Sequence, residues 1–255
     1  MEAIERVTGR PAEGYLCPLC LRWCTTIDDV RLEHAPPRSL GGRHVVLTCD
    51  ECNHSAGYRL EGELRKAEDI RQWAAREGGV ALPARVELDG IPLSGEAMWV
   101  DETLSVVGIP SQNDPRRTEA HVAAARERPL IGGNDDFRLT VGHRVDWPRV
   151  RVAWLKSGYV AAFALLGYQW ALRSALDIVR TQIADPTFEH VERFYLPRRQ
   201  GTSDRHAVIW FERPRSLESI FVVLGNHAVF LPGLKPWPRI YERLAERLPA
   251  QRRTS

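Results

Sequence analysis

The spacing of apolar side chains divides this chain into segments with different periods. Between residues 60 and 77 apolar positions recur every three or four residues, which predicts an amphipathic helix that ends at Gly78 and Gly79. Short β-branched runs bounded by Gly and Pro follow, and they predict a small antiparallel meander. The predicted strands are 84–88, 96–100 and 103–109, and an alanine-rich helix over 116–128 and a strand over 137–143 come next.

The most apolar stretch, 152–172, is almost long enough to span a bilayer. Lys156 and Gln169 interrupt it, so we predict a buried helix rather than a membrane span. Its predicted partner is an amphipathic helix over 173–183. The remaining predicted elements are strands over 206–212 and 219–233, a short helix over 241–248, and an irregular segment or short strand over 1–16.

Helical and strand patterns alternate in blocks along the chain, which is typical of an α+β protein. The chain has 255 residues, of which 44% are hydrophobic and eight are tryptophan, so it can bury a substantial core. A small domain would close within the first third of this length. We therefore predict a first domain over 1–80 and a larger α+β domain over 81–255.

Net charge neither supports nor excludes a nucleic-acid partner. The formal charge is +2, and no long basic tail is present. Arginine supplies nearly all the positive charge, because only Lys66, Lys156 and Lys235 are lysines. The arginines are spread evenly along the chain, and we interpret most of them as solvated surface residues.

All five cysteines lie between residues 17 and 57. Cys17 and Cys20 form one CxxC motif, and Cys49 and Cys52 form a second. Each such turn aims two sulfurs at one point, so the spacing predicts a structural zinc site with four thiolate ligands. Disulfides are the alternative, but no secretory signal precedes the motifs, which indicates a reducing compartment such as the cytoplasm. We interpret Cys24 as a small buried apolar residue.

The loop between the two motifs carries more polar chemistry than a structural zinc ribbon needs. It reads LEHAPPRSLGG and is followed by RHVVLTCDECN, so that an acidic residue and a histidine precede a proline turn and a Gly-Gly pair. In order and spacing these residues resemble the HNH endonuclease family. Members of that family hold a catalytic metal in a ββα unit, often braced by a four-cysteine zinc. The resemblance covers about a fifth of the chain.

The resemblance implies a role for three residues of this segment. His34 would be the general base that deprotonates a water molecule, and Glu33 and Asn53 would hold a catalytic divalent cation beside the scissile phosphate. Oxygen ligands of this kind suit Mg²⁺ or Mn²⁺, whereas the four thiolates suit zinc. The implied activity is metal-dependent hydrolysis of phosphodiester bonds in nucleic acid, with DNA as the favoured substrate.

Two positions leave the ligand set open. His44 stands where the family has an asparagine that braces the hairpin, and it could replace that brace, bind a metal or have no role. We count His44 with His34 among the candidate catalytic residues. His54 directly follows Asn53, so the last ligand could lie one residue later than the motif indicates.

The segment from 155 to 183 is also similar to the carboxy-terminal part of some longer bacterial HNH proteins. It contains LKSGYVAAF and GYQWALRSALDIVRTQI, and this looser similarity implies no activity. The second domain could present DNA or bind a protein partner. The alternative function is a non-catalytic zinc module that binds nucleic acid or a protein, and RNA also remains open as a substrate.

Overall fold

The structure is a computed structural model that describes residues 2–9, 11–77, 79–127, 137–188, 190–197, 206–215 and 218–234. The helices are α1 (Glu2–Thr8), α2 (Asp50–Ala56), α3 (Gly62–Ala74), α4 (Pro115–Glu127), α5 (Trp147–Leu166), α6 (Tyr168–Ala171) and α7 (Asp177–Ala184). The strands are β1 (Tyr15–Leu16), β2 (Trp23–Cys24), β3 (Val30–Ala35), β4 (Arg43–Cys49), β5 (Leu82–Leu88), β6 (Ile91–Val100), β7 (Thr103–Gly108), β8 (Phe137–Val141), β9 (Tyr195–Pro197), β10 (His206–Phe211), β11 (Ser219–Leu224) and β12 (His227–Pro232). Helices and small antiparallel sheets confirm the predicted α+β class.

The chain forms two compact units. The first contains Met1–Leu64 and Asp146–Ser255, and the second contains Arg65–Val145. This division differs from the predicted boundary between residues 80 and 81, because the segment that carries the cysteines packs against α5 and α6. Tyr159 on α5 donates to the carbonyl of Pro18 at 2.9 Å, and Tyr168 on α6 donates to the carbonyl of Leu16.

Two short hairpins and a helix build the start of the first unit. Strands β1 and β2 pair around the first CxxC turn, and β3 and β4 pair from Val30 opposite Cys49 to Ala35 opposite Arg43. Helix α2 begins directly after β4. The second CxxC motif spans this junction, with Cys49 at the end of β4 and Cys52 in the first turn of α2. The Tyr15 hydroxyl donates to the carbonyl of Leu47 at 2.5 Å and so ties the first hairpin to the second.

Helix α5 is the central element of the first unit. It contacts β3 and β4 as well as β11 and β12, which explains why most of its residues from Val150 to Phe163 are buried. The apolar stretch is therefore helical and mostly buried, as predicted, but two helices share it. Gly167, at φ +64°, ends the helix, and α6 follows. In the part of the chain that the structure describes, no helix is long and apolar enough to cross a bilayer.

A four-stranded antiparallel sheet completes the first unit, with the strand order β10-β11-β12-β9. Helix α5 packs closely on it at Gly158, where an added Cβ would lie 2.9 Å from the Cβ of Val229. Strands β10, β11 and β12 agree with the predicted strand regions. The predicted helix over 241–248 lies outside the described residues. Helix α1 replaces the irregular segment or strand predicted there, because it packs against α6 and buries Ile4.

The second unit contains a four-stranded antiparallel sheet in the order β7-β6-β5-β8. Three of its strands are the predicted meander, and β8 adds an edge by pairing with β5. Helix α4 packs on β5 and β6. The Trp73 indole donates to the carbonyl of Ala97 at 3.0 Å, which joins α3 to the sheet.

The loop between β3 and β4 depends on a glycine at position 42. A Cβ added there would lie 1.5 Å from the carbonyl oxygen of Pro36, so any side chain forces the loop to move. We expect Gly42→Ala to reduce the free energy of unfolding by about 3 kcal/mol in denaturant titrations. Gly62→Ala is the matched control, because no atom lies within 4 Å of its added Cβ and alanine favours a helix. Equal stability of the two variants would contradict the proposed close approach.

Candidate metal centre and adjoining polar site

The four cysteines of the two CxxC motifs converge on one point. Their sulfur atoms all lie within 4.8 Å of one another, and the Sγ atoms of Cys20 and Cys49 are 3.6 Å apart. Two ligands of a tetrahedral site with metal–sulfur bonds of about 2.3 Å lie about 3.8 Å apart. This separation is far longer than a disulfide bond, and the cysteines are free thiols. The cluster could therefore hold a metal ion.

Backbone amides and neighbouring thiols shape the chemistry of this cluster. The amide of Cys49 donates to the sulfur of Cys17 at 3.4 Å, and the amide of Cys52 donates to the sulfur of Cys49 at 3.4 Å. Hydrogen bonding from Cys17 and Cys52 lowers the pKa of Cys20. Hydrogen bonding with Cys20 raises the pKa of Cys17 to about 12. Without a cation the cluster thus favours few thiolates, and a metal would let all four ionise.

Cys24 lies outside the four-sulfur cluster. It is buried on β2, and burial raises the pKa of its thiol. Its placement agrees with the interpretation of a small apolar side chain.

Next to the cluster, strands β3 and β4 and helix α2 bring the other predicted site residues close to one another. The two strands shift register between Glu33 and His34, and the backbone of His44 lies opposite that of His34. Glu33 is buried, and His34 is half-buried. The backbone amide of His34 donates to the Glu33 carboxylate. A backbone hydrogen bond thus ties the Glu33 side chain to the strand at His34.

Asn53 on α2 reaches the same carboxylate. Its Nδ2 atom lies 3.3 Å from Oε2 of Glu33, which joins the helix to the hairpin. His54, the alternative last ligand, is exposed on α2. The structure therefore brings together Glu33 of β3 and Asn53 of α2.

Lys156 of helix α5 completes this polar site, and the sequence reasoning did not find it. Its Nζ atom lies 2.8 Å from Oε2 of Glu33 and 3.3 Å from Oε1 of Glu61. Glu61 ends a π-helical turn, Gly57–Glu61, that links α2 to α3. Burial raises the pKa of the Glu33 carboxyl, and the Lys156 ammonium opposes that rise. The sequence did contain a signal for this site, a single lysine within an apolar helix. A buried ammonium needs carboxylate partners, so such a lysine indicates acidic residues nearby.

The oxygen donors around this ammonium match the preference of a hard divalent cation. Glu33 and Glu61 direct carboxylate oxygens at the ammonium, whereas Asn53 directs its Nδ2 atom at Glu33. The position is one at which a cation is stabilised, and the cation that the structure places there is the side chain of Lys156.

Comparisons of the chain with protein-family models, with curated proteins and with solved structures found no match. Function must therefore be inferred from the residues and their geometry. These define an α+β protein with a four-cysteine cluster beside a buried site of carboxylates, an amide and a lysine.

Proposed function

We propose that this protein is a metal-dependent endonuclease of the HNH type that hydrolyses phosphodiester bonds, with DNA as the favoured substrate. Zinc occupies the four-cysteine cluster in this proposal, because four thiolates at tetrahedral spacing suit zinc. The observation that carries the proposal is the 3.3 Å contact between Glu33 and Asn53 beside His34, on a hairpin and helix that the cysteines brace. These are the residues that the HNH motif names.

The proposed chemistry assigns separate tasks to these side chains. His34 accepts a proton from the attacking water, since imidazole is the side chain whose ordinary pKa lies nearest to neutrality. Glu33 and Asn53 hold a divalent cation, Mg²⁺ or Mn²⁺, through oxygen atoms. When bound, that cation supplies positive charge to the phosphate and to the leaving oxygen. His44, on the opposite strand, is proposed to support His34.

A surface close to this site could contact nucleic acid. Tyr58 lies in the same π-helical turn as Glu61, and its side chain is 90% exposed. Arg59 follows it and is also exposed. An exposed aromatic ring can stack on an unpaired base, worth about 1–3 kcal/mol, and a neighbouring guanidinium can bind a phosphate. Neither contact selects DNA over RNA, so RNA stays an alternative substrate.

One observation favours a second function, a non-catalytic zinc module that binds nucleic acid or a protein partner. The Glu33 side chain is only 4% exposed and is paired with Lys156. A catalytic carboxylate has to meet its cation, whereas a structural one can stay buried and paired. In this alternative Glu33, Asn53 and Lys156 stabilise the hairpin and take no part in chemistry.

Plasmid nicking separates the two functions. Purified protein with its zinc content verified is incubated with supercoiled plasmid in Mg²⁺, in Mn²⁺ or with neither cation. We expect conversion to open-circular or linear DNA only when a divalent cation is present. Parallel reactions with labelled single-stranded DNA and RNA test the alternative substrates. No cutting of any substrate by folded, zinc-loaded protein would reject the nuclease and favour the binding module.

The five free thiols favour one kind of cellular compartment. We place the protein in a reducing compartment, such as a bacterial cytoplasm, because oxidation would join the paired cysteines and prevent metal binding.

The second unit and the sheet of the first unit are available for a protein partner in this proposal.

A further inference from the structure

Lys156 is the one cation in direct contact with the Glu33 carboxylate in the part of the chain that the structure describes. The side chains of both residues are buried, at 3% and 4% exposure. An ammonium in such surroundings is held only where carboxylates compensate its lost hydration. Glu33 and Glu61 provide two of them, so one lysine is shared between two acids.

A divalent cation and this ammonium compete for the same oxygen atom. Oε2 of Glu33 receives the Lys156 ammonium at 2.8 Å and the Asn53 amide at 3.3 Å. Two donors occupy both lone pairs of a carboxylate oxygen. A metal ion that binds Oε2 must therefore displace at least one of them. The displaced group is the ammonium, because it and the metal ion are both positive and repel one another.

Glu61 offers the displaced ammonium a second position. Its side chain is 31% exposed, whereas that of Glu33 is 4% exposed, so Glu61 lies on the solvent side of Lys156. By moving toward Glu61 the ammonium leaves Glu33 and keeps one carboxylate partner. The π-helical turn that presents Glu61 is an irregularity often found at functional sites.

We propose that Lys156 is a resident, displaceable cation of the Glu33 site: it pairs with Glu33 until a divalent cation binds, and it then shifts to Glu61. Lys156 and the divalent cation exclude one another at Glu33. The inference rests on the proposed function, which places that cation at Glu33 and Asn53. Lys156 is a positioning residue in this scheme, because its ammonium contacts the Glu33 carboxylate at 2.8 Å and holds it in place.

Amine labelling of the unaltered protein tests the displacement. The chain has three lysines, Lys66, Lys156 and Lys235, so reductive methylation followed by peptide mass spectrometry reads each one separately. Without a divalent cation we expect Lys156 to react at least tenfold more slowly than Lys66. Added Mn²⁺ should accelerate labelling of Lys156 at least fivefold with saturation, and leave Lys66 unchanged.

Direct Mn²⁺ binding, followed by electron paramagnetic resonance of the free ion, tests the competition. Lys156→Gln and Lys156→Met should bind Mn²⁺ at least tenfold more tightly than the unaltered protein. Adding Glu33→Gln to either variant should abolish that gain. Glu61→Gln removes the second position, so it should weaken Mn²⁺ binding severalfold, whereas Glu13→Gln, an exposed acid of the same unit, is the matched control and should change nothing.

Labelling of Lys156 that stays slow when Mn²⁺ saturates the protein would overturn the proposal. Equal Mn²⁺ affinity of the unaltered protein and the Lys156 variants would also overturn it. Should both variants fail to fold, labelling of the unaltered protein still decides. Displacement of Lys156 without cutting of any nucleic acid would reject the nuclease and keep the cation exchange, so the two failures are distinguishable.

Discussion

Removal of zinc should unfold the hairpins and helix α2 of the first unit. These elements contain short strands, β1 and β2 having two residues each, and they bury few large side chains of their own. Zinc bound by four thiolates contributes free energy on the order of 10 kcal/mol to the folding of small zinc domains. We expect one zinc ion per chain by elemental analysis, and a large fall in the melting temperature on treatment with a strong chelator.

Single cysteine variants make this expectation specific. Cys49→Ser removes a buried ligand, so it should lower zinc content to well below one ion per chain and destabilise the protein in the same thermal assay. Cys24→Ala is the matched control, since Cys24 is equally buried but lies outside the cluster. It should keep one zinc ion and lose about 1 kcal/mol of unfolding free energy for the lost packing.

A protein purified without zinc whose melting is unaffected by the chelator would disprove the structural zinc site. So would equal zinc contents in Cys49→Ser and Cys24→Ala.

Replacement of His34 by alanine should abolish nuclease activity and leave the fold intact. A positioned general base contributes about 100-fold to 10,000-fold to a rate, and no other imidazole is named by the motif at this position. His34 is half-buried and lies one residue before the end of β3, so we expect alanine there to leave the strand pairing in place. We expect the rate of plasmid nicking to fall by about 100-fold or more at unchanged zinc content.

Two further histidine variants show whether that loss is specific. His206→Ala alters an exposed histidine on β10 and should nick plasmid at the rate of the unaltered protein. His54→Ala tests the alternative in which the last ligand follows Asn53, and activity should persist because Asn53 is the residue that contacts Glu33. Full activity of His34→Ala would remove His34 from the mechanism.

Local sequence patterns predicted much of what is local in this protein. The CxxC spacing predicted the sulfur cluster, because two residues between cysteines suffice to turn both sulfurs toward one point. Short β-branched runs bounded by Gly and Pro predicted the meander of the second unit, since β5, β6 and β7 each pair with a neighbour along the chain. The apolar run at 152–172 predicted a buried helix, and α5 is buried.

The division of the chain into units could not be predicted in the same way. Residues 1–64 form one compact unit with residues from position 146 onward, and the intervening segment of about eighty residues forms the second unit. Contacts such as that of Tyr159 with Pro18 leave no periodic signal in either segment. The helix at the amino terminus was missed for a related reason, because Ile4 is buried by packing against α6.

By itself the sequence determined which four cysteines form the cluster, because each CxxC turn brings two sulfurs together, and it placed Glu33 directly before His34. The roles of these residues in the proposed activity stay predictions. Only the tertiary structure decided the surroundings of Glu33. Lys156 lies more than one hundred residues further along the chain, and its ammonium reaches Glu33 because α5 packs on the hairpin. Both side chains are buried, so water screens their attraction weakly, and the distant charge of Lys156 opposes the effect of burial on the pKa of Glu33.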